Sequence, residues 1–372
     1  MPGRVGLFVI LLSILTIAGR SQVFNICDGP YVFYKHDRII VHSIKADSSA
    51  LVDSFNLTDK SHISVNVFFS NHPNWNFNLN LRNTIQNEIA EWNTSEKIFA
   101  ISDIEGEFDN FRTLLIAARV IDSAYRWTFG KGHLVVCGDL FDRGLDVAPE
   151  LWLLYKLEDE AKIDGGYVHV ILGNHDIMNL SGDFRYVQRK YFNNSVKMNL
   201  DYKTLYGADT ELGRWLRSKN IIERIGDYLC MHGGLSPEAL AQKMSIADIN
   251  KTSRPFYDQA ESDQVFQDTL LNAFLGENGL FWYRGYFLVP RISQTAVDST
   301  LSFYRCNHII VGHTITNSNI ASYYNGRIIG IDVNEHEGHT EGILIKDGQS
   351  LIINKNGVKG IIPVSPLKII VE

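Results

Sequence analysis

The chain has few cysteines, no long basic run, no internal repeat and no low-complexity stretch. Its four cysteines, Cys27, Cys137, Cys230 and Cys306, include no Cys-x-x-Cys pair, so spacing assigns no disulfide pairing. Cys137 and Cys230 sit inside apolar runs and read as buried free thiols. Thirty-five Lys and Arg against 42 Asp and Glu give a formal charge of -7, which argues against broad nucleic-acid binding, because phosphate backbones are held by clustered cations. No disorder signature is present either. With 372 residues, 45% hydrophobic and 21% charged, the length suits one large α/β domain plus a smaller appendage.

Nor does the chain have an apolar run of membrane-spanning length, which needs roughly 20 residues. The longest run, Val5 to Ala18, follows Arg4 and precedes Gly19-Arg20-Ser21. Residues 1–21 therefore read as a secretory signal peptide. Cys27 follows Phe24-Asn25-Ile26 rather than small residues, which argues against a lipoprotein. The expectation is an exported protein, periplasmic or extracellular, with no stable membrane insertion after cleavage. Asn-x-Ser/Thr triplets such as Asn56-Leu57-Thr58 are present, and whether they carry sugar depends on the source.

Residues 22–95 carry short β-type runs, Tyr31–Tyr34, Ile39–Val41 and Ile63–Phe69, separated by Asn, Asp and Ser clusters. They read as a small β-rich extension that packs against the rest or frames a substrate. In residues 96–372 apolar runs alternate with helical segments, the pattern of an α/β fold. Phe111, Leu114, Leu115, Ala118 and Ile121 predict one helix, and Val147 to Ala161 another. Lys346-Asp347-Gly348 and Asn354-Lys355-Asn356-Gly357 predict turns of a β-meander over residues 343–363.

Five apolar strands end alike. Lys97–Ser102 runs into Asp103, His133–Gly138 into Asp139, Val168–Gly173 into Asn174-His175-Asp176, Tyr228–Met231 into His232-Gly233-Gly234, and Ile309–Gly312 into His313-Thr314. Functional groups in α/β sheets gather outside strand ends, so these side chains are expected to converge. The adjoining glycines would let the backbone turn and leave room for a metal-phosphate cluster.

These motifs, with Asp103-Ile104-Glu105-Gly106 and Gly138-Asp139-Leu140-Phe141-Asp142-Arg143-Gly144, resemble the metallophosphoesterase signature. The Asp-Arg-Gly ending resembles the phosphoprotein phosphatase superfamily. Residues 180–186 and 280–286 are similar to its bacterial-type branch, the Shewanella-like protein phosphatases. The resemblance spans roughly residues 96 to 345 and implies a calcineurin-like β-sandwich flanked by helices, with two divalent metal ions. Asp139 would bridge both ions, Asp103 and Glu105 completing one site, Asn174, His232 and His313 the other. Arg143 and Arg284 would clamp phosphoryl oxygens, for which a guanidinium fork is suited. His175 would be the general acid, oriented by Asp142.

Two departures from that pattern carry information. Glu105 stands where most of the superfamily has histidine, which shifts that site toward harder ions, Mn²⁺ first, with Mg²⁺, Zn²⁺ or Fe as alternatives. Gly312-His313-Thr314 lacks the second histidine that many phosphodiesterases of this fold carry, which favours phosphomonoesters. Asp332, His336 and His339 are near enough in sequence to supply such a ligand but read as a solvated polar loop. The leading expectation is a phosphatase for phosphorylated protein side chains, Ser/Thr or Tyr, or a small phosphomonoester. A phosphodiesterase or nucleotide hydrolase on the same core is the alternative. A metal-inert exported binding protein is a third reading, to which Glu105 alone points.

Overall fold

The computed structural model describes residues 25–93, 96–260 and 262–366, so the expected signal peptide lies outside the described residues. Two six-stranded sheets face each other. One runs, in spatial order, Gly357–Ile361, Gln349–Asn354, Glu341–Lys346, Lys97–Ile101, His133–Cys137 and Tyr167–Ile171. The other runs Ala321–Tyr323, Ile328–Gly330, His308–Val311, Tyr228–Met231, Ile222–Ile225 and Glu91–Trp92.

The period-two alternation of strands decides which side chains fill the sandwich. Ile98, Ala100, Val135 and Cys137 point inward and meet Ile225, Cys230, Ile310 and Ile329 of the opposite sheet. Phe99, Ile101, Leu134 and Val136 point outward into a second core shared with the helices. Cys137 and Cys230 are buried free thiols, as the sequence predicts.

Parallel pairing puts strand ends on one edge. Lys97–Ile101 is parallel to His133–Cys137, which is parallel to Tyr167–Ile171, and Tyr228–Met231 is parallel to His308–Val311. The predicted meander is the Glu341–Lys346, Gln349–Asn354 and Gly357–Ile361 set. The predicted second helix spans Val147–Ile163. The first helix is shorter than its periodicity suggests, Phe108–Ala117, and Ile121 lies beyond it. Arg119 enters the left-handed region (φ 57°), which ends the helix, and Ile121 is buried from the connection that follows.

The N-terminal segment forms a three-stranded antiparallel sheet, Asp28–Lys35, Arg38–Ile44 and Ala50–Asn56, and a hairpin of Ser64–Val67 with Phe77–Asn80. Tyr31, Val32 and Phe33 join the helix-side core, and Trp152 Nε1 donates to the Pro30 carbonyl at 2.8 Å. No helix among the described residues is long and apolar enough to cross a membrane.

A buried ionic cluster ties this segment to the Val147–Ile163 helix and to Lys219. Lys219 Nζ, fully buried, lies 2.6 Å from both Glu88 Oε1 and Glu158 Oε1, and Arg82 Nη1 lies 2.6 Å from Glu158 Oε2. Burial acts to raise the Glu158 pKa, yet Lys219 and Arg82 hold it at about 2. Lys219→Met strands buried carboxylates, and urea unfolding is expected to show a loss of about 3–5 kcal/mol. Because its folded pKa is depressed, Glu158 contributes stability above pH 4.5 that is lost as pH falls toward about 2. Lys219→Met should flatten that acid limb, and a limb equally steep in both proteins would refute the assignment.

Candidate dinuclear metal centre

The five strand ends converge as expected. Asp103, Glu105, Asp139, Arg143, Asn174, His175, Arg284 and His313 line one cavity of about 240 Å³. His232 lies immediately beneath, its Nε2 2.9 Å from Asn174 Oδ1 and 3.2 Å from Asp139 Oδ2.

The backbone is bent to achieve this. Asp103, Glu105, Asp139, Asp142, Arg143 and His313 all have φ between 48° and 76°, a region that non-glycine residues enter at a steric cost and that clusters at functional sites. The glycines serve close approach of opposing loops. A Cβ on Gly312 would stand 1.9 Å from Ser102 Oγ and 2.3 Å from Asp103 Oδ2. One on Gly138 would stand 2.6 Å from the Gly173 backbone and 2.7 Å from His232 Nδ1.

Partners of the imidazoles determine which nitrogen faces inward. His232 Nδ1 donates to the Cys137 carbonyl at 2.6 Å, which leaves Nε2 as the nitrogen facing Asn174 and Asp139. His313 Nε2 donates to the Trp282 carbonyl at 3.2 Å, leaving Nδ1 its lone pair. Second partners of this kind fix ring orientation in metal sites. His175 Nδ1 lies 2.6 Å from Asp142 Oδ2, and its Nε2 is 3.3 Å from Arg143 Nη2. Asn179 Nδ2 donates to Asp142 Oδ1 at 2.9 Å, and the Tyr202 hydroxyl donates to Asn179 Oδ1 at 2.7 Å.

Potential ligand atoms of Asp139, His232 and His313 lie within 4.8 Å of one another, as do those of Glu105, Asp139 and His175. Asp103 Oδ2 accepts from Ser102 Oγ at 2.5 Å and from the His313 amide at 3.1 Å. Arg143 pairs with Glu105 Oε1, and Arg284 Nη1 donates to the His313 carbonyl at 2.7 Å.

The electrostatics show why cations belong here. Five buried carboxylates, those of Asp103, Glu105, Asp139, Asp332 and Glu335, line one small cavity. Burial, followed by the repulsion of Asp139 and Glu105, pushes Asp103 up to about 7. Burial and the charges of Asp103 and Glu105 hold Asp332 well above the usual range. Burial opposes charge on Asp139 too, but His232 and His175 keep it below its ordinary value, and in return Asp139 and Asp103 lift His232 to about 10 against burial. Oxygen donors beside inward-facing imidazole nitrogens, crowded enough to retain protons that cations would displace, fit divalent ions.

The expectation for the 332–339 loop needs correction. Asp332 is buried in the cavity wall, because it directly follows the Ile328–Gly330 strand. His336 reaches Glu105, Nε2 to Oε2 2.5 Å, at the opposite side from His313 in the sequence-based scheme. His336 and His339 are both exposed, as expected of a solvated loop, but His336 is tied to Glu105 rather than free in solvent.

Sequence reasoning gave Asp176 no role. Its buried carboxylate accepts from the amides of Gly173 (2.7 Å), Leu140 (2.8 Å) and Asp139 (3.1 Å), joining two metal-bearing loops. The available signal was its position in the first turn of the Asn174–Ser181 helix, where an acidic side chain caps amides.

A calcineurin-like phosphoesterase domain matches residues 96–317. The chain belongs to that family. It is a dinuclear-metal phosphatase. Shewanella-like protein phosphatase 2 of Arabidopsis thaliana is 28% identical, over 69% of this chain and 76% of its own length. Shewanella-like protein phosphatase 1 of Plasmodium berghei is 30% identical, over 65% and 67%. Among solved structures, the cold-active protein-tyrosine phosphatase of a psychrophilic Shewanella species superposes with a TM-score of 0.81 at 34% identity, covering 90% of this chain and 99% of that one.

Asp176→Asn keeps one acceptor oxygen but turns an NH₂ toward amides that donate. It is expected to cost about 1–3 kcal/mol per donor left unsatisfied, read by urea unfolding of the metal-free protein. Wild-type stability in that variant would remove Asp176 from the account.

Proposed function

We propose that this chain hydrolyses phosphomonoesters on protein side chains, phosphotyrosine foremost, through the ten residues singled out from the sequence. One observation carries the reading: an imidazole held at Nδ1 by Asp142 presents Nε2 to a cavity flanked by two guanidinium groups and a carboxylate-histidine cluster. Asp103, Glu105 and Asp139 would hold one ion, and Asp139, Asn174, His232 and His313 the other. When bound, two such ions activate a shared water and neutralise charge on the phosphoryl group.

The remaining work falls to the protein. Arg143 and Arg284, both in the cavity lining, orient the phosphoryl oxygens. His175 holds a proton at Nε2 and delivers it to the leaving oxygen. Burial opposes that proton, while Asp139 and the hydrogen bond to Asp142 favour it and raise the pKa. Asn179 and Tyr202 position Asp142 from behind.

Support for a protein substrate comes from the space around the cavity. A cleft of about 870 Å³ adjoins it and shares Arg143. Its walls include Ile26, His72 and Trp75 of the N-terminal segment and Lys190 and Lys197 opposite. The inner cavity suits one phosphorylated side chain, and the cleft has room for the polypeptide that bears it. Tyr186, its ring 5.0 Å from that of His175, offers an aromatic neighbour to a phenolic leaving group. The relatives named as protein phosphatases, and the tyrosine-specific name of the Shewanella structure, agree with this choice.

Mn²⁺ is the proposed metal, because Asp103, Glu105, Asp139 and Asp332 make one side of the centre rich in oxygen. Export is proposed from the apolar segment ahead of residue 22, and an N-terminus at residue 22 on secreted protein would agree with it.

The reading is tested by comparing a phosphotyrosine peptide with a phosphoserine peptide, bis-p-nitrophenyl phosphate and a dinucleoside tetraphosphate, each with Mn²⁺ and with Zn²⁺. The phosphotyrosine peptide with Mn²⁺ is expected to give the highest kcat/KM. Preference for either diester-type substrate would replace this reading by the nucleotide-hydrolase one. That alternative is suggested by the 29% identity over 38% of this chain to a symmetrical bis(5'-nucleosyl)-tetraphosphatase of Methylococcus capsulatus. His175→Asn should lower kcat about 10²–10⁴-fold while leaving metal content unchanged. Loss of metal in step with activity would make His175 a ligand instead.

A further inference from the structure

The two metal positions are unequal in their donors. One combines the Asn174 amide with the imidazoles of His232 and His313, whereas the other has only the carboxylates of Asp103, Glu105 and Asp139. At that carboxylate side the chain brings in an imidazole from 231 residues away. His336 Nε2 lies 2.5 Å from Glu105 Oε2, and its Nδ1 lies 3.1 Å from Glu107 Oε1.

The turn that carries it is fixed rather than adventitious. His336 is the middle residue of the Glu335–Glu337 turn. Thr340 Oγ1 donates to Glu335 Oε2 at 2.9 Å, and Asn110 Nδ2 of the Phe108–Ala117 helix approaches the Glu335 carbonyl at 3.4 Å. Glu335 is buried, and Asp332 and Val333 of the same segment line the cavity wall. His336 thus reaches Glu105 from a short anchored arm.

Its two nitrogens have different surroundings. Glu107 lies outside the cavity lining, whereas Glu105 and His336 both belong to it. Glu107 holds Nδ1 from outside, so Nε2 is the nitrogen directed at Glu105 and the cavity, and a carboxylate behind the outer nitrogen is the arrangement that orients a ligating histidine.

We propose that His336 Nε2 is the nitrogen donor of the ion held by Asp103, Glu105 and Asp139, which makes the Glu335–Glu337 turn part of the metal centre. The inference rests on the ligand assignment made above for those three carboxylates. It explains how a centre whose second motif residue is Glu105 still has an imidazole at each metal position.

The test is a double-mutant cycle read by metal affinity. Mn²⁺ dissociation constants are measured by chelator competition on the full chain for wild type, His336→Ala, Glu105→His and the double variant. His336→Gln is added as a variant of similar size, and melting temperatures in chelator verify that each variant folds. His336→Ala and His336→Gln are expected to weaken the tighter-coupled ion about 10–100-fold. In the Glu105→His background, where an imidazole already sits in the motif, the same change is expected to cost less than about threefold. No loss in the wild-type background, or an equal loss in both, overturns the proposal. Asp103→Asn separates the two levels of argument: if it too leaves affinity intact, the three-carboxylate assignment has failed, whereas loss there without loss at His336 defeats this inference alone. A crystal grown with Mn²⁺ adds a direct readout, an anomalous peak at metal–nitrogen bonding distance from His336 Nε2; a metal peak out of its reach also overturns it.

Discussion

Five carboxylates buried together in one cavity, those of Asp103, Glu105, Asp139, Asp332 and Glu335, set the terms on which this protein folds. Each loses its hydration and repels the others, and burial, with neighbouring carboxylates adding to it, pushes Asp103, Asp332 and Glu335 above the ordinary carboxylate range. Positive groups compensate from several directions: Arg143 at Glu105, His336 beside it, and His232 against Asp139. Two divalent ions complete the compensation that side chains only begin. The site is therefore best understood as a negative hollow whose rigidity is prepared for cations and, through them, for a phosphoryl group.

Holding that hollow open requires a frame that does not yield. The sandwich supplies it through strands packed on both faces, with branched apolar side chains between the sheets and helices outside. At the strand ends the backbone takes left-handed conformations that a looser surround would relax. Asp176 gathers three amides from two loops, and Gly312 lets its loop pass against Ser102 and Asp103. The Lys219 cluster fastens the N-terminal segment to the same body, so the wall of the outer cleft and the catalytic cavity belong to one packed unit.

Much of the centre was legible in the sequence, because each candidate residue stands directly after an apolar run whose strand character is unambiguous. Asp103, Asp139, Asn174, His232 and His313 needed only the rule that functional groups collect at strand ends. Side chains that act from behind were less accessible. Asn179 and Tyr202 lie on the Asn174–Ser181 helix and the Tyr202–Tyr206 turn, where nothing local distinguishes them from packing residues. Asp332 and His336 follow a strand of only three residues, too short to announce itself, so the segment looked like a polar loop. The role of residues 25–93 as a cleft wall depends on long-range packing that periodicity does not encode.

Two cations complete the carboxylate hollow. Titration calorimetry of chelator-stripped protein with Mn²⁺ tests this most directly. The expected result is two ions bound per chain and a higher melting temperature once both are bound. A stoichiometry of one, or binding of two ions without stabilisation, would contradict it.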